Sequence, residues 1–461
     1  MLPFHIHFGL EGIVGTAIYI LMWVTFVLST CWKPQLGIYV LAFFLPLQTV
    51  RYRVHAMFLG PQFVDLLLLG VVLGLVLKGQ AVIPKTPLTT FVLFLTVFYY
   101  FSLWEGAYFI NAPLPLWISD ARFSDWKNYV EMFFLALIVS SAIKDQRQVC
   151  TLLLVMAFSV LSLNRNYINI LSNLDLSHFS YERRDEGIIG YAGVNGLAAF
   201  EAMIFSVLLA GYVYARRFWL KIGLALLAAS CIYCLLFSFS RGGYAGALAG
   251  LVAIGLLKAR RLLVVAALIV FSWQVLLPTS VQERITMTSE KNEAGELADH
   301  SAEARLILWE DAIDLFKRNP VTGSGFQSYK HMHRVGPYND THNYFVKILA
   351  ETGVVGMLLF LALLWKLTRL GFNLFSEATE KPFWAALGLG FVGLMAAAVV
   401  TNFFGDRWTY QQVDGYLWIL LGCVITGLRI NNEVLSIGET AEPDAELPPQ
   451  NDLQHTVELG I

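Results

Sequence analysis

The sequence predicts an all-α polytopic membrane protein with about 12–13 transmembrane helices and one large extracytoplasmic loop containing an amphipathic helix. Three observations carry that expectation. Of 461 residues, 57% are hydrophobic and 14% charged, and the mean hydropathy is +0.60, a balance that belongs to membrane-spanning chains. Apolar runs recur along the chain at close to the ~20 residues that cross a bilayer. Lys and Arg gather in alternate loops between those runs, the bias that sets orientation.

Taken in order, the runs fall near 12–31, 35–50, 62–77, 88–103, 128–143, 149–163, 190–214, 219–237, 243–257, 262–277, 344–366, 383–404 and 413–428. Residues 1–11 lack Lys and Arg, so the first run is expected to stay as a span rather than be cleaved as a signal peptide. Lys33, Lys78 with Lys85, Lys144 with Arg147, Arg216, Arg217 and Lys221, Lys258, Arg260 and Arg261, then Lys366, Arg369 and Lys381 occupy one set of short loops. Those loops are expected in the cytoplasm. The chain then divides into N-terminal transmembrane helices (1–277), a large outward loop with the catalytic residues (278–343), C-terminal transmembrane helices (344–432) and an acidic tail (433–461). The tail contains Pro and no Lys or Arg, the composition of a disordered cytoplasmic extension.

A net charge of −2, with no basic cluster interleaved with aromatics, excludes a nucleic-acid partner. The five cysteines, Cys31, Cys150, Cys231, Cys234 and Cys423, lie in or beside apolar runs. Their odd number and membrane setting argue against a disulfide framework. Cys231 and Cys234 match a redox pair in spacing alone, and inside an apolar helix they read as small packing residues. His300, His331, His333 and His342 share one loop, but no spacing among them makes a compact metal motif. A metal-independent protein without a cofactor is therefore expected.

The outward loops are unusually rich in arginine: Arg51, Arg53, Arg122, Arg165, Arg183, Arg184, Arg241, Arg284, Arg305, Arg334 and Arg407, together with Lys127. A guanidinium offers a fixed fork of donors that suits phosphate oxygens. Singly, each reads as ordinary outward charge; as a group they point to an anionic substrate. Ser240-Arg241-Gly242-Gly243 joins two runs through a tight turn, with the paired glycines expected to supply the bend. That turn would hold Arg241 at the membrane edge.

Residues 304–318 have helical periodicity, with Leu306, Trp309, Ile313 and Phe316 on one face, flanked by Leu308, Ala312 and Leu315. Glu310, Asp311, Asp314, Lys317 and Arg318 lie opposite, and Asn319-Pro320 ends the helix. At ~100° per residue Arg305 falls inside the apolar arc, so either it is aimed at the membrane domain or it precedes the helix. Gly323-Ser324-Gly325 reads as a flexible turn. His342-Asn343 then heads a span, and Asn343, Lys347 and Glu351 make a polar stripe down its first turns. Histidine is the side chain whose ordinary pKa best suits proton transfer near neutrality. Lys347 and Glu351 read as a structural pair, and Gly353 and Gly356 as sites of close helix contact. Gly187, Gly190 and Gly193 precede a span containing Glu201, which is either a helix–helix hydrogen-bonding group or part of a polar path.

As a set, these residues resemble the O-antigen ligase and polymerase superfamily, membrane enzymes that move glycans off polyprenyl diphosphate carriers. The resemblance lies in Ser240-Arg241-Gly242, Ser301-Ala302-x-x-Arg305-x-x-x-Trp309, Asn319-Pro320-x-x-Gly323-x-Gly325, and His342-Asn343 followed by Glu351-x-Gly353-x-x-Gly356. It covers roughly residues 185–405. It implies that His342 is a general base for an acceptor hydroxyl and that Arg241 and Arg305 bind the diphosphate. It further implies transfer with inversion, in a bacterial inner membrane with the large loop periplasmic and the tail cytoplasmic. Asn343, Trp309, Arg284, Arg122, Lys127 and Glu201 join them as candidate contacts for diphosphate or glycan. The family pattern has a Pro-Asn pair where this chain has Val194-Asn195, so no role is transferred to Asn195.

The partners so implied are a polyprenyl-diphosphate-linked glycan donor, a glycan or lipid acceptor and the membrane. A ligase leads, followed by a polysaccharide polymerase and a protein O-oligosaccharyltransferase. A solute transporter is the alternative from another class; it would need charges along a midplane path and discontinuous helices, which Glu201 fits and an outward Arg/His cluster does not.

Overall fold

The computed structural model describes residues 10–182, 184–287, 300–335 and 340–440. Expectations for Arg183, Asp299, the side chains of Ser301 and Ala302, and the tail beyond residue 440 lie outside the described residues. The first half of the chain forms α1 (Leu10–Cys31), α2 (Gln35–Phe44), α3 (Gln48–Arg51), α4 (Phe63–Leu77), α5 (Pro87–Phe109), α6 (Ala121–Ala142) and α7 (Gln146–Leu171). A central group follows, with α8 (Gly193–Tyr214), α9 (Phe218–Phe237), α10 (Arg241–Leu257), α11 (Arg261–Leu276) and α12 (Thr279–Thr286). The last five are α13 (His300–Arg318), α14 (Ser328–Met332), α15 (Tyr344–Glu377), α16 (Pro382–Asn402) and α17 (Gln411–Thr440). No strand occurs among the described residues.

The protein is all-helical and polytopic. Every expected apolar run lies on a helix, and the starts are set by local chemistry. Thr86 caps α5 ahead of Pro87, Asp120 caps α6 and Asp145 caps α7, each side-chain oxygen accepting an otherwise unpaired N–H. Eight helices are long and apolar enough to cross a membrane, or nine if α11 and α12, bent by 104°, form one span. That is fewer than the run count, because α2, α4 and α10 are short apolar helices of 10–17 residues and α6 opens with Arg122, Asp125, Lys127 and Glu131. The short ones are covered by neighbours: α2 packs on α4 and α7, and α10 on α8 and α16.

The centre of the bundle is the mutual contact of α8, α10 and α16, flanked by α9 and α15. Small residues permit it. A Cβ on Gly242 would meet Phe404 at 2.6 Å, one on Gly246 would meet Thr401 at 2.5 Å, and one on Gly250 would meet the Ser206 hydroxyl at 2.0 Å. Spaced by four, these glycines form the close-packing stripe typical of membrane helices. The expectation that Gly242 and Gly243 make the bend is thereby corrected. Both lie in the first turn of α10, and the left-handed residue of the turn is Phe239, with φ 54°.

Three further readings are revised. The turn at 323–325 is buried rather than flexible, with Gly323 at φ 78° and Gly325 at φ 96°; a Cβ on Gly325 would lie 2.0 Å from the Gly106 nitrogen. The expected tail start at residue 433 falls inside α17, which continues to Thr440, the first proline beyond being Pro443. On α13 the buried stripe is Leu308, Ala312 and Leu315, while Leu306 is 51% and Ile313 41% exposed.

Helix α15 is broken at Gly353 (φ 62°, ψ −164°), and the chain at 319–325 fills the break. Val354 N donates to Pro320 O at 2.9 Å and Val355 N to Val321 O at 3.2 Å. On the other side Ser324 N donates to Ala350 O at 3.0 Å and Gly325 N to Glu351 O at 2.7 Å. The backbone groups freed by the break are thus paired by one loop, as burial requires.

Candidate active site

The ends of several elements meet around one small polar cavity. It is lined by Arg184 and Asn195 from the entry to α8, Phe239 to Gly242 from the α9–α10 turn, Arg284 from α12, Arg305 from α13 and Phe404 beyond α16. Its volume is about 20 Å³, room for one water. Four arginines therefore border a space smaller than a diphosphate.

Arg184 and Arg284 are each held by a backbone carbonyl and a neighbouring side chain. Arg184 Nε donates to Ser238 O at 3.0 Å and its Nη2 to Asn195 Oδ1 at 2.8 Å. Arg284 is buried at 3% exposure; its Nε donates to Phe239 O at 3.4 Å and its Nη1 to the Tyr181 hydroxyl at 3.0 Å. Its guanidinium also lies over the rings of Phe179 and Tyr181, at 4.9 and 5.1 Å, a favourable cation–π arrangement. Arg241 opens α10, and Arg305 lies one turn before the buried stripe of α13. Burial, and after it the charge of Arg284, push the Arg184 guanidinium down to about 10. Like charges held together and partly dehydrated are what a bound anion would relieve.

Helix α13 links this cavity to His342. Four residues beyond Arg305, Trp309 Nε1 donates to Thr341 O at 3.0 Å; i and i+4 side chains on a helix stand roughly 5–6 Å apart. His342 itself adopts a left-handed backbone, φ 49°. Its N–H donates to Asp340 Oδ1 at 2.6 Å, and its Nδ1 lies 2.9 Å from the same oxygen. On the other side Asn343 Oδ1 accepts from Phe345 N at 3.0 Å and Val346 N at 3.2 Å, capping α15.

Beneath His342 lies a second polar layer. Lys347 Nζ pairs with Asp406 Oδ2 at 2.8 Å, both side chains being buried, and Asp406 also accepts from Thr409 N and its hydroxyl. Glu351 accepts from Gln327 N at 3.1 Å and Tyr329 N at 3.2 Å. Lys347 and Glu351 keep the expected electrostatic interaction, but their hydrogen bonds go elsewhere: the lysine's to the loop after α16 and the glutamate's to the head of α14. Phe345 stacks on Phe403 at 4.2 Å, which ties the head of α15 to the loop whose Phe404 lines the arginine cavity.

Of the residues singled out in the sequence, Arg241, Arg284 and Arg305 come together, with His342 joined to them through Trp309. Trp309 spends its indole N–H and Asn343 its side-chain oxygen on backbone, so both hold the His342 loop. Arg122 forks onto Asp120, with Nη2–Oδ2 at 2.6 Å and Nε–Oδ1 at 3.0 Å. Lys127 pairs with Asp65, and with Glu131 at 3.3 Å. Neither lines the cavity, because both sit in the first turns of α6 beside their own acidic partners. Glu201 is fully buried in α8. The Asn164 amide, oriented so that its oxygen accepts from Ser230 Oγ at 3.0 Å, donates to Glu201 Oε1 at 2.7 Å. Of the two readings of Glu201, that contact is helix–helix hydrogen bonding. Among the described residues, no group of three or more His, Cys, Asp or Glu is placed to hold a metal ion.

Three contributors were not in the sequence-derived site: Arg184, Asn195 and Asp340. Asp340 stands two residues before His342, the spacing at which an Asp side chain reaches the following backbone N–H. Asn195 carried a glycine-rich approach but lacked the expected Pro neighbour. A larger cavity of about 790 Å³ lies between α7, α8, α9, α16 and α17. Its lining is almost wholly apolar, with Gln146, Arg216 and Arg217 at one end, and it brings no acid together with a base.

Residues 226–361 match the family model described as O-Antigen ligase. The match runs from within α9 into α15 and includes Arg241, Arg284, Arg305, Trp309, Asp340 and His342, and it supports membership of the O-antigen ligase superfamily. No curated protein matches the chain.

Proposed function

We propose that this multi-pass membrane protein, whose residues 226–361 match the O-antigen ligase family model, transfers a glycan from a polyprenyl-diphosphate carrier to an acceptor hydroxyl. Superfamily membership supports a ligase- or polymerase-type glycosyltransferase. The finer reading is carried by one observation: four arginines line a single cavity, and the helix bearing Arg305 also holds the loop of His342.

The chemistry follows from the parts. Donor diphosphate enters among Arg184, Arg241, Arg284 and Arg305, whose forks match its oxygens. Nε2 of His342 takes the proton of the acceptor hydroxyl as that oxygen bonds to the anomeric carbon from the face opposite the diphosphate. The bond from that carbon to the diphosphate oxygen breaks, and its electron pair leaves with the carrier. The arginines stabilise the charge as it grows, and attack from the opposite face inverts the configuration. Ligation to a lipid or surface glycan is the leading acceptor reaction.

The test supplies membranes with polyprenyl-diphosphate glycan and candidate acceptors. Removing one donor aimed at developing charge costs about 10²–10³-fold in rate, and that loss is expected for Arg305→Ala and Arg241→Ala. His342→Ala should be equally impaired. Transfer at the wild-type rate by His342→Ala would overturn the general-base assignment. A single-step shift of the acceptor supports a ligase, whereas a ladder of products would replace it with a polymerase.

A further inference from the structure

We propose that Asp340 is the positioning residue for His342, fixing which ring nitrogen carries the proton and where the other one points. This rests on the reading of His342 as the general base. One carboxylate oxygen takes two contacts from the same residue, the backbone N–H at 2.6 Å and Nδ1 at 2.9 Å. An ionised carboxylate only accepts hydrogen bonds, so the proton of the neutral ring sits on Nδ1 and Nε2 keeps the lone pair.

The backbone is fixed on both sides of His342. His342 is left-handed, Thr341 before it is bound by Trp309, and Asn343 after it is committed to the cap of α15. Side-chain rotation is the freedom that remains, and the Nδ1 contact removes it. An aligned base needs that, since an ångström of misplacement is costly in a transfer step.

The surroundings keep Asp340 ionised. Lys347 from α15, Arg407 and Tyr410 from the loop after α16, and Tyr329 from α14 are the charged and titratable groups that act on it beside His342. Burial raises the Asp340 carboxyl, but the His342 contacts and the Lys347 charge outweigh it and hold the group well below the usual carboxylate range. The aspartate therefore stays negative, and it stabilises the imidazolium that forms when the acceptor proton arrives.

The experiment compares full-length wild type, Asp340→Asn, Asp340→Glu and His342→Ala in membranes. Two readouts are followed: the pH profile of glycan transfer, and the pH dependence of carbethoxylation at residue 342 by diethyl pyrocarbonate, read by mass spectrometry. An imidazolium that loses a carboxylate partner gives up its proton more readily. For Asp340→Asn the acid limb of kcat and the midpoint of carbethoxylation should both move to lower pH. kcat should fall about 10–100-fold with KM for donor little changed, an alignment loss. Asp340→Glu should recover part of the rate. Unchanged carbethoxylation in Asp340→Asn, with thermal unfolding like wild type, overturns the positioning role. A shifted carbethoxylation midpoint beside normal transfer by His342→Ala keeps the Asp340 contact and overturns the general-base reading instead.

Discussion

At the scale of single residues, Asn343 shows how a site-like signal divides between chemistry and architecture. It sits beside the proposed base in a His-Asn pair, yet its side-chain oxygen accepts from two backbone N–H groups at the head of α15. Replacing such a cap by alanine costs about 0.5–2 kcal/mol, whereas Asp caps about as well as Asn. Asn343→Ala is therefore expected to lower thermal stability in detergent by that amount while Asn343→Asp stays near wild type. An Asn343→Asp variant that binds donor poorly at full stability would show that the amide touches substrate after all. Arg122 and Lys127 are the opposite case. Their charge and outward loop were legible in the sequence, and so were Asp120 and Glu131 two and four residues away, but the Asp65 partner of Lys127 is brought in only by the fold.

At the scale of elements, the broken helix α15 shows what periodicity cannot read. Glu351-x-Gly353-x-x-Gly356 looked like a polar residue followed by small packing residues. In the fold Glu351 caps α14, Gly353 takes a left-handed backbone, and the 319–325 segment fills the gap. A Cβ on Gly353 would approach Val321 O at 2.3 Å, and left-handed strain adds of order 1–3 kcal/mol for a non-glycine residue. Gly353→Ala should destabilise the protein by at least that much and loosen the 319–325 segment, seen as faster hydrogen exchange at Val354 and Val355. Exchange equal to wild type would mean that the break tolerates a side chain. The apolar runs were legible because each helix carries its own pattern. The left-handed glycines were visible only as glycines, since their conformation depends on what docks against them.

At the scale of the whole molecule, the Lys347–Asp406 pair ties the head of α15 to the loop between α16 and α17. Breaking a buried pair by removing one partner costs about 3–5 kcal/mol, while exchanging both for apolar residues is often neutral. Lys347→Met should therefore unfold at markedly lower temperature, and the double variant Lys347→Met with Asp406→Leu should regain much of the loss. Failure of the double variant to recover would show that the hydrogen bonds of Asp406 to Thr409 matter more than its charge. The sequence disclosed Arg241, Arg284, Arg305 and His342 one by one. That three of these arginines share a cavity with Arg184 depends on how α8, α10, α12 and α13 come to the same end of the bundle. Helix α10 sets the level of that end. Its 17 residues rise about 25 Å, against a hydrocarbon layer of about 30 Å. A Lys258 placed at one boundary would leave Arg241 roughly 5 Å short of the other, by the same rise per residue. Because α8 and α16 cover α10, that shortfall is a recess within the bundle rather than a dimple in lipid. On the proposed function, the arginines would then meet a diphosphate below the level of the outer boundary, inside that recess rather than in open water.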